Sequence, residues 1–250
     1  MRDGNLLRLL QSTRGAAIVR SARMSLTPEQ IRWIFVYLFV LIVSVAIHEF
    51  GHAFVATRLG DDTPRRQGRV TLNPLAHIDP IGTLFLPVMG AIVSAANGGA
   101  GGGFGWGKPV EWQPHKVKRG VSMTTARVLV SFAGPMMNLL LGTVIAIVHV
   151  VLLKHDVLVA DGHPSSILLF AAATNYSLFF FNLLPFSPLD GRSWAEALTP
   201  YRYRAQYEAF AKFAPFFILA IIAIPELRFI VSVPTRFLIQ HLYTFLLGIL

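Results

Sequence analysis

Residues 47–52 read Ile47-His48-Glu49-Phe50-Gly51-His52 and close an apolar run that extends from residue 34 to 47. Two histidines at i and i+4 share one face of a helix, so both imidazoles can reach a single ion. Glu49 lies about 100° round the helix from His48. From there it can take a proton from a water whose pKa a zinc ion lowers toward ~7, without being a ligand itself. A five-residue pattern of this kind recurs by chance, so its setting carries the weight. Ionisable groups in an apolar span are expensive unless paired or coordinated, and are functional by default. The bland alternative is a set of polar residues hydrogen-bonded to one another inside a helix bundle.

Upstream of this run, Thr27-Pro28-Glu29-Gln30 supplies an N-cap threonine, proline at the first helical position and glutamine at the capping-box position. A helix over 31–59 is therefore expected. Before it, residues 1–25 form a basic tail in which Leu6, Leu7, Leu9 and Leu10 alternate with Arg2, Arg8 and Arg14. It is too polar for the h-region of a signal peptide. Two readings stand: a disordered or surface-lying tail, or translation that starts at Met24.

The whole chain has 250 residues, of which 54% are hydrophobic and 14% charged, with a mean hydropathy of +0.55. Soluble domains carry about 25% charged residues, so a bilayer is the expected solvent. The net charge of +9 raises nucleic acid as a partner, but the cations fall before and between apolar runs, as in the loops of membrane proteins. No nucleic acid is expected. The absence of cysteine removes disulfides, thiolate zinc sites and a cysteine nucleophile.

Downstream, residues 69–72 and 109–112 look extended, Asn73-Pro74 and Asp79-Pro80 mark turns, and 97–107 is too glycine-rich for a helix. Further helices are expected over 122–153 and 165–184, the latter ended by Pro185 and Pro188, with two apolar segments near 210–224 and 229–250. The expected fold is an all-α integral membrane protein. It is a bundle of about five transmembrane helices with a re-entrant or interfacial segment and short β-like membrane-associated segments. Its parts are the tail 1–25, a core 26–200 and C-terminal helices 201–250.

A catalytic zinc keeps three protein ligands and an open position, so His48 and His52 need a third. Candidates are Asp190, Asp79, His77, His163 and His149. Asp190 is preferred, because Asn182-Leu183-Leu184-Pro185-Phe186-Ser187-Pro188-Leu189-Asp190-Gly191 sets a carboxylate where an apolar helix breaks. Broken helices at membrane depth are tolerated where they line an enclosed cavity. A helix-end cap is the competing role for Asp190, and His77 and Asp79 read better as turn residues.

These residues resemble the site-2 protease family of intramembrane metalloproteases, in its compact bacterial branch without a PDZ domain. His48-Glu49-Phe50-Gly51-His52 is similar to the family's zinc motif, and Asn182, Pro185 and Asp190-Gly191 to the motif that supplies its third ligand. Gly134-Pro135-Met136-Met137-Asn138 resembles the stretch between them, whose asparagine is proposed to help stabilise the oxyanion. The resemblance implies one zinc ion held by His48, His52 and Asp190, with Glu49 and Asn138 as catalytic residues. It further implies transmembrane protein substrates cut in or near their membrane helices, and residence in a bacterial inner membrane. Helix packing is the other role open to Asn138, and Asn182 is expected to bond backbone or substrate groups.

Both motifs must meet at one depth. His48 lies about 30 Å of helix beyond Pro28, and Asp190 lies just past the end of the 165–184 helix. Those two helices must therefore run the same way. If 81–96 crossed the bilayer they would run oppositely and the ligands would never meet. That segment, short and interrupted by Pro87, should thus be re-entrant or interfacial. Residues 58–119 hold Arg58, Arg65, Arg66, Arg69, Lys108, Lys116, Lys118 and Arg119, whereas 154–162 offers only Lys154. The positive-inside rule sets the 58–119 side, and the metal, toward the cytoplasm. The competing function is a non-catalytic scaffold or transporter that binds transmembrane helices. Transporters often carry paired broken helices or internal symmetry, and neither is evident here.

Overall fold

The computed structural model describes residues 26–96 and 105–249. The tail expected over 1–25 and the glycine-rich residues 97–104 lie outside the described residues. The main elements are α1 (Pro28–Arg58), α2 (Thr63–Arg66), a π-helical turn (Pro80–Phe85) leading into α3 (Leu86–Ala96), α4 (Met123–Lys154) and α5 (His163–Asn182). They continue with α6 (Gly191–Leu198), α7 (Arg204–Ala211), α8 (Ala214–Ala223) and α9 (Phe229–Ile249). Among the described residues, four helices are long and apolar enough to cross a membrane, and the α7–α8 pair, bent by 51°, makes a fifth if it counts as one span.

The first span starts where its capping sequence predicts. Thr27 Oγ1 accepts the Gln30 N–H (3.2 Å) and Gln30 Oε1 accepts the Thr27 N–H (2.8 Å). Ile34, Tyr37, Leu41 and Val45 of α1 then pack against Ala91 and Ala95 of α3. On the other face Phe35 and Phe39 stand 68% and 69% exposed. Rings so bare would be a liability in water but are ordinary against lipid.

Side-chain partners fix the helix directions. Along α1, His52 meets Val130 and Ser44 meets Asn138, so α4 runs antiparallel to it. Arg32 meets His163, Tyr37 meets Phe170, and Asn175 meets Asn138, so α5 runs parallel to α1. This is the down-up-down order that lets the two motifs meet.

The segment before α4 closes on itself. The Gln30 amide reaches Ala95 O (2.8 Å), so α3 runs back along α1 toward its N-terminal end. Its starting end nevertheless returns to its own exit. Trp106 N–H donates to Gly82 O (3.0 Å) and Lys108 N–H to His77 O (2.9 Å). Entry and exit thus lie side by side, as a re-entrant segment requires. Residues 80–95 span at most roughly 24 Å as helix, short of a hydrocarbon core of about 30 Å.

That end of the bundle is knotted by buried polar groups. Asp61, fully buried, accepts the Thr63 N–H (3.0 Å) and hydroxyl (2.6 Å) through Oδ1 and the Gln113 N–H (2.5 Å) through Oδ2. Burial opposes its charge, but these donors outweigh it and hold the carboxyl below its ordinary range. Arg69, also buried, spreads its guanidinium over the carbonyls of Ala76, Lys108 and Pro109. Burial lowers its pKa. This clamp accounts for one departure from expectation. The β-like segments expected at 69–72 and 109–112 do not form: no described residue lies in a strand, the chain bends at Val70 and Thr71, and 109–112 is irregular, with the carbonyls of Lys108 and Pro109 bonded to Arg69.

Candidate metal centre

His48 and His52 stand one turn apart on α1, both buried, with ring centroids 4.7 Å apart and planes at 82°. Asp190 reaches them from the broken end of α5. After Asn182 the chain folds through tight turns, Phe186 N–H to Leu184 O and Leu189 N–H to Phe186 O, both 2.8 Å. Asp190 then occupies the N-cap position of α6, yet its side chain caps nothing. The next residue must be glycine, since a Cβ on Gly191 would lie 2.1 Å from Leu184 O.

Three candidate ligand atoms converge. His48 Nε2 and His52 Nε2 are 3.1 Å apart, and Asp190 Oδ2 is 3.1 Å from the first and 3.3 Å from the second. Tetrahedral zinc with bonds of about 2.0–2.1 Å sets its ligands roughly 3.3 Å apart, so the triangle has the right size. The hydrogen-bond pattern adds a chemical argument. His48 Nδ1 lies 2.6 Å from Asn138 Oδ1, and His52 Nδ1 lies 2.6 Å from Val130 O. Both neighbours are acceptors, so each ring carries a proton on Nδ1, and in its neutral form turns the Nε2 lone pair inward. Asp190 Oδ2 accordingly has no hydrogen-bond donor, although two ring nitrogens lie beside it. Three such atoms facing one another in a buried site could hold a metal ion.

The tautomer of His48 depends on how Asn138 is turned, and its surroundings fix that. Asn138, fully buried on α4, donates from Nδ2 to Ser44 O and to Asn175 Oδ1, both at 3.1 Å. A backbone carbonyl can only accept, so Oδ1 must be the atom that faces His48. Asn175 in turn donates to Ala171 O (2.9 Å). Both Asn138 N–H groups are thus committed to protein acceptors. Asn175 was missed by sequence reasoning, and its signal was available: an amide in the middle of an apolar helix.

Two glycines shape the cavity. A Cβ on Gly134 would lie 2.3 Å from His52 Nε2 and 2.6 Å from His48 Nε2, so this glycine leaves free the space before the ligands. The following Pro135 has no N–H for the Ser131 carbonyl, one residue on from Val130, whose carbonyl faces His52. Gly107 closes over Glu49, since a Cβ there would stand 3.2 Å from Glu49 Oε1 and 2.6 Å from Val45 Cγ1. Glu49 is buried beside the ligand pair.

The other candidate ligands are engaged elsewhere. Asp79 Oδ1 caps the turn after it, accepting the Ile81 and Gly82 N–H groups. His77 Nε2 bonds Thr71 O (2.9 Å), and burial lowers its pKa. His149 lies between the hydroxyls of Ser165 and Tyr243 at 2.8 and 2.9 Å. His163 sits beside Arg32 at the start of α5. Asn182 donates to Leu178 O within its own helix (3.0 Å).

Comparison with known proteins gives a family. Residues 36–224 match the family profile of Peptidase family M50. YwhC of Bacillus subtilis (strain 168), named as a proposed zinc metalloprotease, is 37% identical over 169 residues, 66% of this chain and 70% of that protein. Rip2 of Mycobacterium tuberculosis (strain ATCC 25618 / H37Rv), named in the same way, is 33% identical over 190 residues, 75% of this chain and 66% of Rip2. Rip2 of Mycolicibacterium smegmatis is 34% identical over 146 residues, 56% of this chain and half of that protein. No solved structure matches the chain.

Proposed function

The chain belongs to peptidase family M50, and from that premise we propose that it is an intramembrane zinc metalloprotease that cuts peptide bonds within or beside transmembrane segments of membrane proteins. The observation that carries this reading is the inward set of three lone pairs on His48, His52 and Asp190, with both imidazole tautomers fixed from outside. These residues would hold one zinc ion. Bound there, zinc supplies the charge that polarises a scissile carbonyl and acidifies the attacking water. Glu49 takes the water's proton as general base and passes it to the departing amine nitrogen. Asn138 acts as a positioning residue for His48, with both of its N–H groups already bonded to protein acceptors. Asn175 holds Asn138 in turn.

His48 lies about 15 Å of helix from the Arg58 end of α1, so the chemistry takes place below the membrane surface. The basic residues between 58 and 119 set that end toward the cytoplasm. A substrate helix hides its amides in its own hydrogen bonds, and must unwind before attack. Two variants test the reading. Glu49→Gln should retain zinc and lose cleavage, and it should trap substrates for identification by proteomics. His48→Ala should lose zinc. Turnover by the first variant, or full zinc content in the second, would sink the assignment.

A further inference from the structure

Beyond the metal centre, the end of the bundle that carries residues 58–119 holds a cavity of about 450 Å³. It is built from separate stretches of chain: the last turn of α1, α2 with the turn before it, Val70 and Lys118. The wall is fixed in place. Lys118 N–H donates to Leu59 O (2.8 Å), and Asp61 ties the α1–α2 turn to Gln113. Gly60, at φ +114°, lets the Lys118 stem pass, since a Cβ would lie 2.7 Å from Lys118 Cγ.

Three cations line this cavity, Arg58, Arg65 and Lys118, against one carboxylate, Asp62. Asp62 is paired with Arg65 at 3.5 Å in an exposed contact, which neutralises little. The lining therefore keeps a formal excess of two positive charges. Thr57, in the same wall, has a hydroxyl without a hydrogen-bond partner. The apolar side of the cavity points to the origin of the ligand. Phe54, 39% exposed, carries the Arg58 guanidinium 4.9 Å above its ring. An aromatic ring and a cation at the end of a membrane-crossing helix mark the headgroup level of a bilayer. Val70 adds a second apolar contact.

We propose that this cavity binds the phosphate of an anionic phospholipid headgroup, with Arg58, Arg65 and Lys118 on the phosphate and Phe54 and Val70 against the upper acyl chains. Guanidinium groups suit phosphate oxygens geometrically as well as by charge. Thr57 lies five residues beyond His52, which turns it about 140° round α1 from that ligand, so the site is separate from the metal.

The test uses the purified full chain in native mass spectrometry, titrated with phosphatidylglycerol, phosphatidylcholine or inorganic phosphate. Wild type should retain phosphatidylglycerol over phosphatidylcholine. A triple variant, Arg58→Gln with Arg65→Gln and Lys118→Gln, should bind it about tenfold or more weakly with its zinc content unchanged. Arg66→Gln with Arg119→Gln, cations of the same region outside the lining, should bind it as wild type does. Equal losses in both variants would mean diffuse surface charge, and loss in neither would mean no site; either overturns the proposal. Binding of inorganic phosphate without phosphatidylglycerol overturns the lipid assignment in favour of a soluble phosphate. If the triple variant does not fold, Lys118→Gln alone decides, because that exposed residue holds the loop through its backbone. A roughly threefold loss is then expected, and no loss refutes.

Discussion

Replacing Gly134 by alanine tests the metal centre without touching a ligand. In a helix interior this exchange normally stabilises, by about 1 kcal/mol. At position 134 the new Cβ would lie 2.3 Å from His52 Nε2 and 2.6 Å from His48 Nε2. Ordinary contacts between such atoms are roughly 3.5 Å, so the overlap is about 1 Å. Metal sites tolerate displacements of only about 0.2 Å. Loss of an outer-shell partner alone costs about 10–100-fold in metal affinity, and pushing two ligands apart must exceed that. Gly134→Ala should therefore bind zinc at least about 100-fold more weakly, by titration against a competing chelator and by elemental analysis after dialysis. Gly142→Ala, two turns along the same helix, is the matched control. Its Cβ would meet Tyr176 Cε1 at 2.8 Å, an overpacking worth about 1–3 kcal/mol of stability and no zinc. Wild-type zinc affinity in Gly134→Ala, with α4 intact, would refute the assignment of this space to a metal.

Asn138→Ala should weaken zinc binding about 10–100-fold by freeing the His48 ring, and Asn175→Ala should do so less. Asn182→Ala, which loses only a bond inside its own helix, should leave zinc affinity unchanged; equal losses in all three would remove the positioning role. Gly107→Ala should lower turnover with zinc retained, because its methyl would crowd the Glu49 carboxylate, and unchanged turnover would count against Glu49 as the base. Asp61 gives a pH dependence: its folded pKa lies below its ordinary 3.8, so its contribution is present above that value and is lost as pH falls through the folded pKa. Asp61→Asn should lose about 1–3 kcal/mol at neutral pH, and its thermal stability should fall less than that of wild type on acidification below about pH 4; parallel curves would contradict the knot.

What the sequence made legible was local or forced by closure. The capping box at Thr27–Gln30 and the pair His48–His52 depend only on helical spacing, and both form as expected. The re-entrant 81–96 segment is not a local pattern, but it follows once two ligands on separate helices must share a depth. What could not be read are contacts between residues far apart in sequence that obey no period. Arg69 takes carbonyls of Lys108 and Pro109, and the β-like segments expected there do not form. Asn175 reaches His48 only through Asn138. Gly134 looks like a helix-packing glycine until the ring nitrogens are seen beside it.

The ligand set also explains why the site is supported from behind and bare in front. Each imidazole is held by an acceptor on α4, one a side-chain oxygen and one a backbone carbonyl. Asp190 is placed by the turn that Gly191 permits, and spends its oxygen on no cap. A donor inside the triangle would have quenched the lone pairs and made the histidines ordinary buried residues. With every support outside, His48, His52 and Asp190 come together around a space that a metal ion would fit. If a metal is held there, its affinity and the docking of the α5–α6 turn onto α1 and α4 would be one free energy, since buried groups of like polarity cost stability until a cation binds.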